Sequence, residues 1–91
     1  MGKREAFSVL FATWPRHDSE PKMDGLIKAF ETSCLYCEPV AVERAIKRFI
    51  TGNVDGHNMA FRPTPPQVAK LANHIQNQTA TMTIWHFWQN M

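Results

Sequence analysis

Cysteine and glycine are both scarce in this chain, at two and four of 91 residues. Two cysteines do not build the disulfide framework of a small secreted scaffold. Four glycines leave no glycine-rich loop to cradle a phosphate. No apolar run is long enough to span a bilayer. No serine sits in a Gly-x-Ser-x-Gly elbow, and no pair of carboxylates offers an acid and a base. The expectation is a chain without enzymatic activity and without a cofactor. Charge is also missing from one end: from Leu71 to Met91 there is no Lys, Arg, Asp or Glu.

What remains is enough for one folded unit. Hydrophobic residues make up 44% of the chain, with three Trp and six Phe, and charged residues 20%. That balance argues against wholesale disorder. A chain of 91 residues is one domain with a small core. We place that core over residues 3–78 and set apart an aromatic segment, 79–91. The net charge of +2 is mildly basic and does not by itself announce nucleic acid.

The N-terminus does not read as a signal peptide. Lys3 and Arg4 precede an apolar run, but the run is short, follows Glu5 and leads into Trp14-Pro15. Ala6 stands where a myristoylation pattern wants Ser or Thr. Asn77 to Thr79 is a glycosylation sequon that matters only in a secreted protein. Cys34 and Cys37, as free thiols, fit a reducing cytosol.

Four helices follow from apolar spacing. Phe7, Leu10, Phe11 and Trp14 share one face, and Pro15 stops that helix, which runs from Lys3 to Trp14. The spacing of Met23, Leu26, Ile27, Phe30 and Cys34 predicts a second helix from Pro21 to Cys34, capped by Asp18 or Ser19. Pro39 opens a third, with Val42, Ala45, Ile46, Phe49 and Ile50 inward and Gly52 as its C-terminal cap. A flexible connector follows. Thr64 and Gln67 then form a capping box around Pro65 and Pro66. Val68, Leu71, Ala72 and Ile75 face inward, and Phe61 folds back against this fourth helix.

The tail holds Met82, Ile84, Trp85, Phe87 and Trp88. Helical spacing puts Ile84, Trp85 and Trp88 on one face; strand alternation pairs Trp85 with Phe87. The β-branched Thr79, Thr81, Thr83 and Ile84 argue against a helix. The aromatics either pack on the core or form an exposed partner anchor, since Trp and Phe dominate binding hot spots.

Three further constellations invite chemistry. Cys34 and Cys37 with His57, His74 and His86 lack the histidine spacing of a zinc finger, so no metal is expected; the thiols read as two small apolar side chains. Arg44, Lys47 and Arg48 line one helix face, with Arg62 as a fourth member, and could grip phosphate or an acidic partner. A solvated helix face is the commoner meaning of such a stripe. Residues 67–88 have a helix-turn-helix outline, but the second helix carries no Arg or Lys for base edges.

The order of these features resembles a known family. An aromatic helix ends near Trp14, a second carries Leu26 to Phe30, a third reads AVERAIKRFI, and Phe-x-Pro-Thr precedes an apolar helix. This is similar to the N-terminal domain of phage replicative-helicase loader and inhibitor proteins and related small phage replication accessories. The likeness rests on Ala45, Phe49, Ile50, Phe61, Pro63, Thr64, Val68 and Leu71 and covers Phe7 to Ile75. It implies a helical bundle without activity of its own, working in the cytoplasm of a bacterial host. It implies binding to a replicative helicase and an origin-binding partner. In that family the segment after the bundle engages the helicase, which by position is the tail after Ile75. The anchor reading above would give Trp85, Phe87 and Trp88 as its contact residues.

The expected architecture is all-α: a compact four-helix domain with a short fifth C-terminal element. The expected function is a phage-type adaptor on a DNA replication component. The alternatives are a small phage inhibitor of a host nucleic-acid machine, such as an anti-CRISPR protein, and a small DNA-binding protein.

Overall fold

A computed structural model describes the backbone of residues 2–89 and the side chains of residues 2–78. The chain forms α1 (Lys3–Thr13), α2 (Met23–Ser33), α3 (Pro39–Ile50) and α4 (Pro65–Gln89). No strand occurs among the described residues. Helix α1 packs against α2 and α3, and α4 packs against the same two helices.

The apolar stripes meet in one core. Phe7, Leu10, Phe11 and Trp14 come from α1 and its C-cap, Ile27 and Phe30 from α2, Val42, Ala45, Ile46 and Phe49 from α3, and Val68, Ala72 and Ile75 from α4. Phe30 is the aromatic hinge of this core. Its ring lies 5.5 Å from Phe7 and 5.6 Å, edge-on, from Phe11. Phe7 is fully buried, so Phe7→Ala would cost about 3–5 kcal/mol, enough to unfold a domain with a modest stability margin.

Helix boundaries follow local chemistry. The chain leaves α3 through a Schellman motif: Asn53 N–H donates to the Arg48 carbonyl at 2.8 Å and Gly52 N–H to the Phe49 carbonyl at 3.3 Å. Gly52 has φ +76°, and a Cβ there would stand 2.8 Å from Met59 Sδ. The capping box of α4 is formed in both directions. Thr64 N–H donates to Gln67 Oε1 at 2.8 Å, and Gln67 N–H to Thr64 Oγ1 at 3.4 Å.

Helix α2 starts later than its sequence suggests. Lys22 is its N-cap and makes no side-chain cap bond, so neither Asp18 nor Ser19 caps it. The preceding loop is held in a non-helical shape instead. Arg16 donates to the carbonyls of His17, Glu20 and Pro21, and His17 N–H donates to Glu20 Oε1 at 2.9 Å. Met23, placed at the first turn, is partly exposed rather than buried.

The connector between α3 and α4 is pinned at several points. Trp14 Nε1 donates to the Met59 carbonyl at 2.8 Å. The His57 ring packs edge-on against Phe49 and Trp14, and its Nε2 bonds the Phe61 carbonyl at 3.0 Å. Phe61 itself does not fold back on α4; it is 68% exposed.

The expected fifth element is the continuation of α4, whose helical backbone runs unbroken to Gln89. The helix-turn-helix outline is absent for the same reason. Threonine and isoleucine lower helix propensity by less than about 0.7 kcal/mol each, whereas a break needs glycine or proline. Neither occurs after Pro66.

Candidate partner-binding surface

The turn between α2 and α3 is clamped from two sides. Lys3 Nζ, on α1, donates to the carbonyls of Cys34 at 2.9 Å and Leu35 at 3.3 Å. An ammonium at that position satisfies orphan carbonyls and answers the negative end of the helix dipole. From the other side, α4 holds the turn's exit. Glu38 N–H donates to Gln76 Oε1 at 2.8 Å, and the Cys37 thiol faces Asn73 Oδ1 at 3.5 Å and the Ala69 carbonyl at 3.9 Å. Cys37 N–H closes the turn on the Cys34 carbonyl at 3.0 Å.

Both cysteines are buried and unbridged, as small apolar side chains at the end of a helix. Burial pushes the Cys34 thiol up from 9.0 to about 11, and the neighbouring Cys37 adds to the effect. Such a thiol is inert as a nucleophile.

With Cys34 and Cys37 turned inward, their neighbours point out. Tyr36 is 88% exposed, Leu35 61% and, on the first turn of α3, Val40 54%. An aromatic ring and one aliphatic side chain thus stand on a turn whose backbone is tied to α1 and α4, with Val40 exposed at the start of the next helix. Contact residues with few rotamers on a pre-organised backbone lose little entropy on binding. The sequence phrase Tyr36-Cys37-Glu38-Pro39 signals the break, but not which side chains it displays.

Residues Arg44, Lys47 and Arg48 lie on the outer face of α3 and are exposed. Lys47 pairs with Glu43 at 3.3 Å. Arg44 and Arg48 have no ion pair among the described residues. Arg44 flanks a groove of about 350 Å³ between α3 and α4, with Val40, Ala41 and Ile75 among its lining residues.

Arg62 does not extend this stripe. Its Nη1 and Nη2 donate to the two carboxylate oxygens of Glu20 at 2.9 and 2.6 Å, and its Nε to the Trp14 carbonyl at 3.2 Å. The guanidinium carbon also lies 4.6 Å from the centre of the Phe11 ring. The guanidinium is engaged in holding the loops that follow α1 and precede α4.

Trp85, Phe87 and Trp88 lie outside the residues whose side chains are described. Their backbone is helical, so helical spacing, not strand alternation, relates Trp85 to Trp88.

A second hollow, of about 370 Å³, lies between the connector and α4, lined by Phe49, Val54, His57, Lys70, Leu71 and His74 among others. His57 is committed to its ring contacts and the Phe61 carbonyl. Among the described residues, no three His, Cys, Asp or Glu side chains converge to hold a metal, and no helix is long and apolar enough to cross a membrane. Comparison with protein-family models, curated proteins and solved structures finds no match for this chain.

Proposed function

We propose that this chain is a non-enzymatic adaptor that acts by protein–protein contact on a component of DNA replication, in the first instance a replicative helicase. The observation that carries the contact reading is Tyr36: an almost fully exposed aromatic, next to the exposed Leu35, on a turn clamped by Lys3 and Gln76. Large apolar side chains on a pre-organised turn are the anchors from which binding energy comes. The replication assignment draws on the order of helices and the Phe-x-Pro-Thr entry to α4. The uncharged aromatic end of α4, with Trp85, Phe87 and Trp88, supplies a second contact region on the same reading.

Direct DNA binding draws less support, on magnitude. Two unpaired arginines neutralise few phosphates, whereas binders with strong salt-dependent affinity make about 6–10 such contacts.

The test is a calorimetric titration of the full chain into purified bacterial replicative helicase, with sedimentation of the mixture. The reading predicts saturable binding and a co-sedimenting complex. Absence of both at high protein concentration overturns the helicase assignment.

A further inference from the structure

We propose that the groove between α3 and α4 is the seat of an acidic amphipathic helix from the partner protein, with Arg44 and Arg48 reading its carboxylates. This rests on the adaptor reading above and names the chemistry of the partner.

The groove has an apolar lining and a basic edge. Ala41 and Ile75 are buried components of the core, and Val40 stands exposed on its rim. Arg44 flanks it, and Arg48 follows one turn farther along the same face of α3. The two arginines are not equivalent to Lys47, which Glu43 already neutralises. A free guanidinium presents a planar fork that matches a carboxylate with two parallel hydrogen bonds. A ligand that satisfies both features carries an apolar stripe and, beside it, acidic residues about one turn apart. An amphipathic helix laid along a groove between two helices has that layout.

Glu38 also lines the groove, at the N-terminal end of α3. The partner's acidic residues therefore belong at the Arg44–Arg48 end, away from Glu38. This fixes the direction of charge along the docked helix.

Two other occupants fit less well. The aromatic end of α4 in a second copy has no Asp or Glu with which to neutralise the arginines. A nucleic acid would use the arginines but leave Val40 and the apolar lining without a counterpart, since phosphate contacts are polar and sequence-independent.

The experiment uses the full chain, isotopically labelled, and two synthetic helices about five turns long. Both carry one leucine stripe; one is flanked by glutamate and the other by lysine. Backbone amide shifts locate binding, and fluorescence anisotropy measures affinity. The expected result is that the glutamate helix shifts the amides of Val40, Ala41, Arg44 and Gln76. It should bind more tightly than the lysine helix. Arg44→Gln with Arg48→Gln should weaken it about fivefold, as expected for losing two exposed ion pairs, and raising salt should act the same way. The double variant's melting temperature checks that the fold is intact.

Several results overturn the inference. One is equal affinity for the glutamate and lysine helices, and another is indifference to the two arginine substitutions. A third is shifts confined to the Tyr36 turn, which would leave the adaptor reading standing while removing the groove. A short DNA duplex that shifts the same amides more strongly than the glutamate helix would reassign the face to nucleic acid. A concentration-dependent dimer that protects the groove would reassign it to a second copy.

Discussion

Arg62 closes on Glu20 with both terminal nitrogens, at 2.9 and 2.6 Å, across 42 positions of sequence. The pair is mostly shielded, with the arginine side chain only 14% exposed. It ties the loop after α1 to the approach of α4, and Phe11 supports the guanidinium from below. Arg62→Ala should therefore destabilise the fold by about 2 kcal/mol, the scale of lost hydrogen bonds to a charged group. Arg62→Lys should recover only part, because an ammonium cannot reproduce the fork. Urea unfolding of the two variants checks this. Native stability in Arg62→Ala would return the residue to the basic stripe.

The same pair gives a pH dependence. The His17 amide, and then the charge of Arg62, hold the Glu20 carboxyl below its usual range against the opposing pull of desolvation. A depressed folded value means that stability is present at neutral pH and is lost as pH falls through the folded value. Glu20→Gln should flatten the acid limb of the stability profile. An unchanged acid limb would contradict it.

Cys34 works on the alkaline side. Its thiol is raised to about 11 from 9.0 by burial and by Cys37. Below 9.0 the native and unfolded thiols are both protonated and make no difference. Between the two values only the unfolded chain ionises, so stability declines as pH rises from 9.0 to about 11 and levels off above that. Cys34→Ala should show a shallower decline over that interval than the parent. Both thiols should also resist alkylation by iodoacetamide in the native state and react on unfolding, as mass spectrometry would show. Rapid labelling of the folded chain would contradict this.

The capping box of α4 is the simplest stability test. Thr64→Ala should cost about 1 kcal/mol in urea unfolding. Partner affinity should not change at temperatures where the fold survives. A variant with native stability and lost binding would mark Thr64 as a contact residue instead of a cap.

These elements were not equally legible in the sequence. The cap of α4 and the end of α3 were, because Thr64 with Gln67 and Gly52 after Ile50 act over three or four positions. Each of the four helices announced its apolar stripe at local spacing. The start of α2 was hidden, because Arg16 and Glu20 hold the preceding loop through bonds that no helix signal encodes. The role of Arg62 was hidden for a similar reason: its partner lies 42 positions away. The display of Tyr36 is not legible in the sequence, because it depends on Lys3 and Gln76, which clamp the turn from distant parts of the chain. The state of the tail is ambiguous in the sequence, because β-branched residues weigh against a helix while no glycine or proline after Pro66 breaks one.

On the adaptor reading, the clamped turn between α2 and α3 displays Tyr36 for partner contact. The most direct measurement is calorimetric titration of purified replicative helicase with the parent chain and with Tyr36→Ala, beside their melting curves. The substitution should weaken binding by about 2 kcal/mol, the threshold of a hot spot, while melting stays within the small range of a surface substitution. Equal affinities for the two chains, at equal stability, would contradict it.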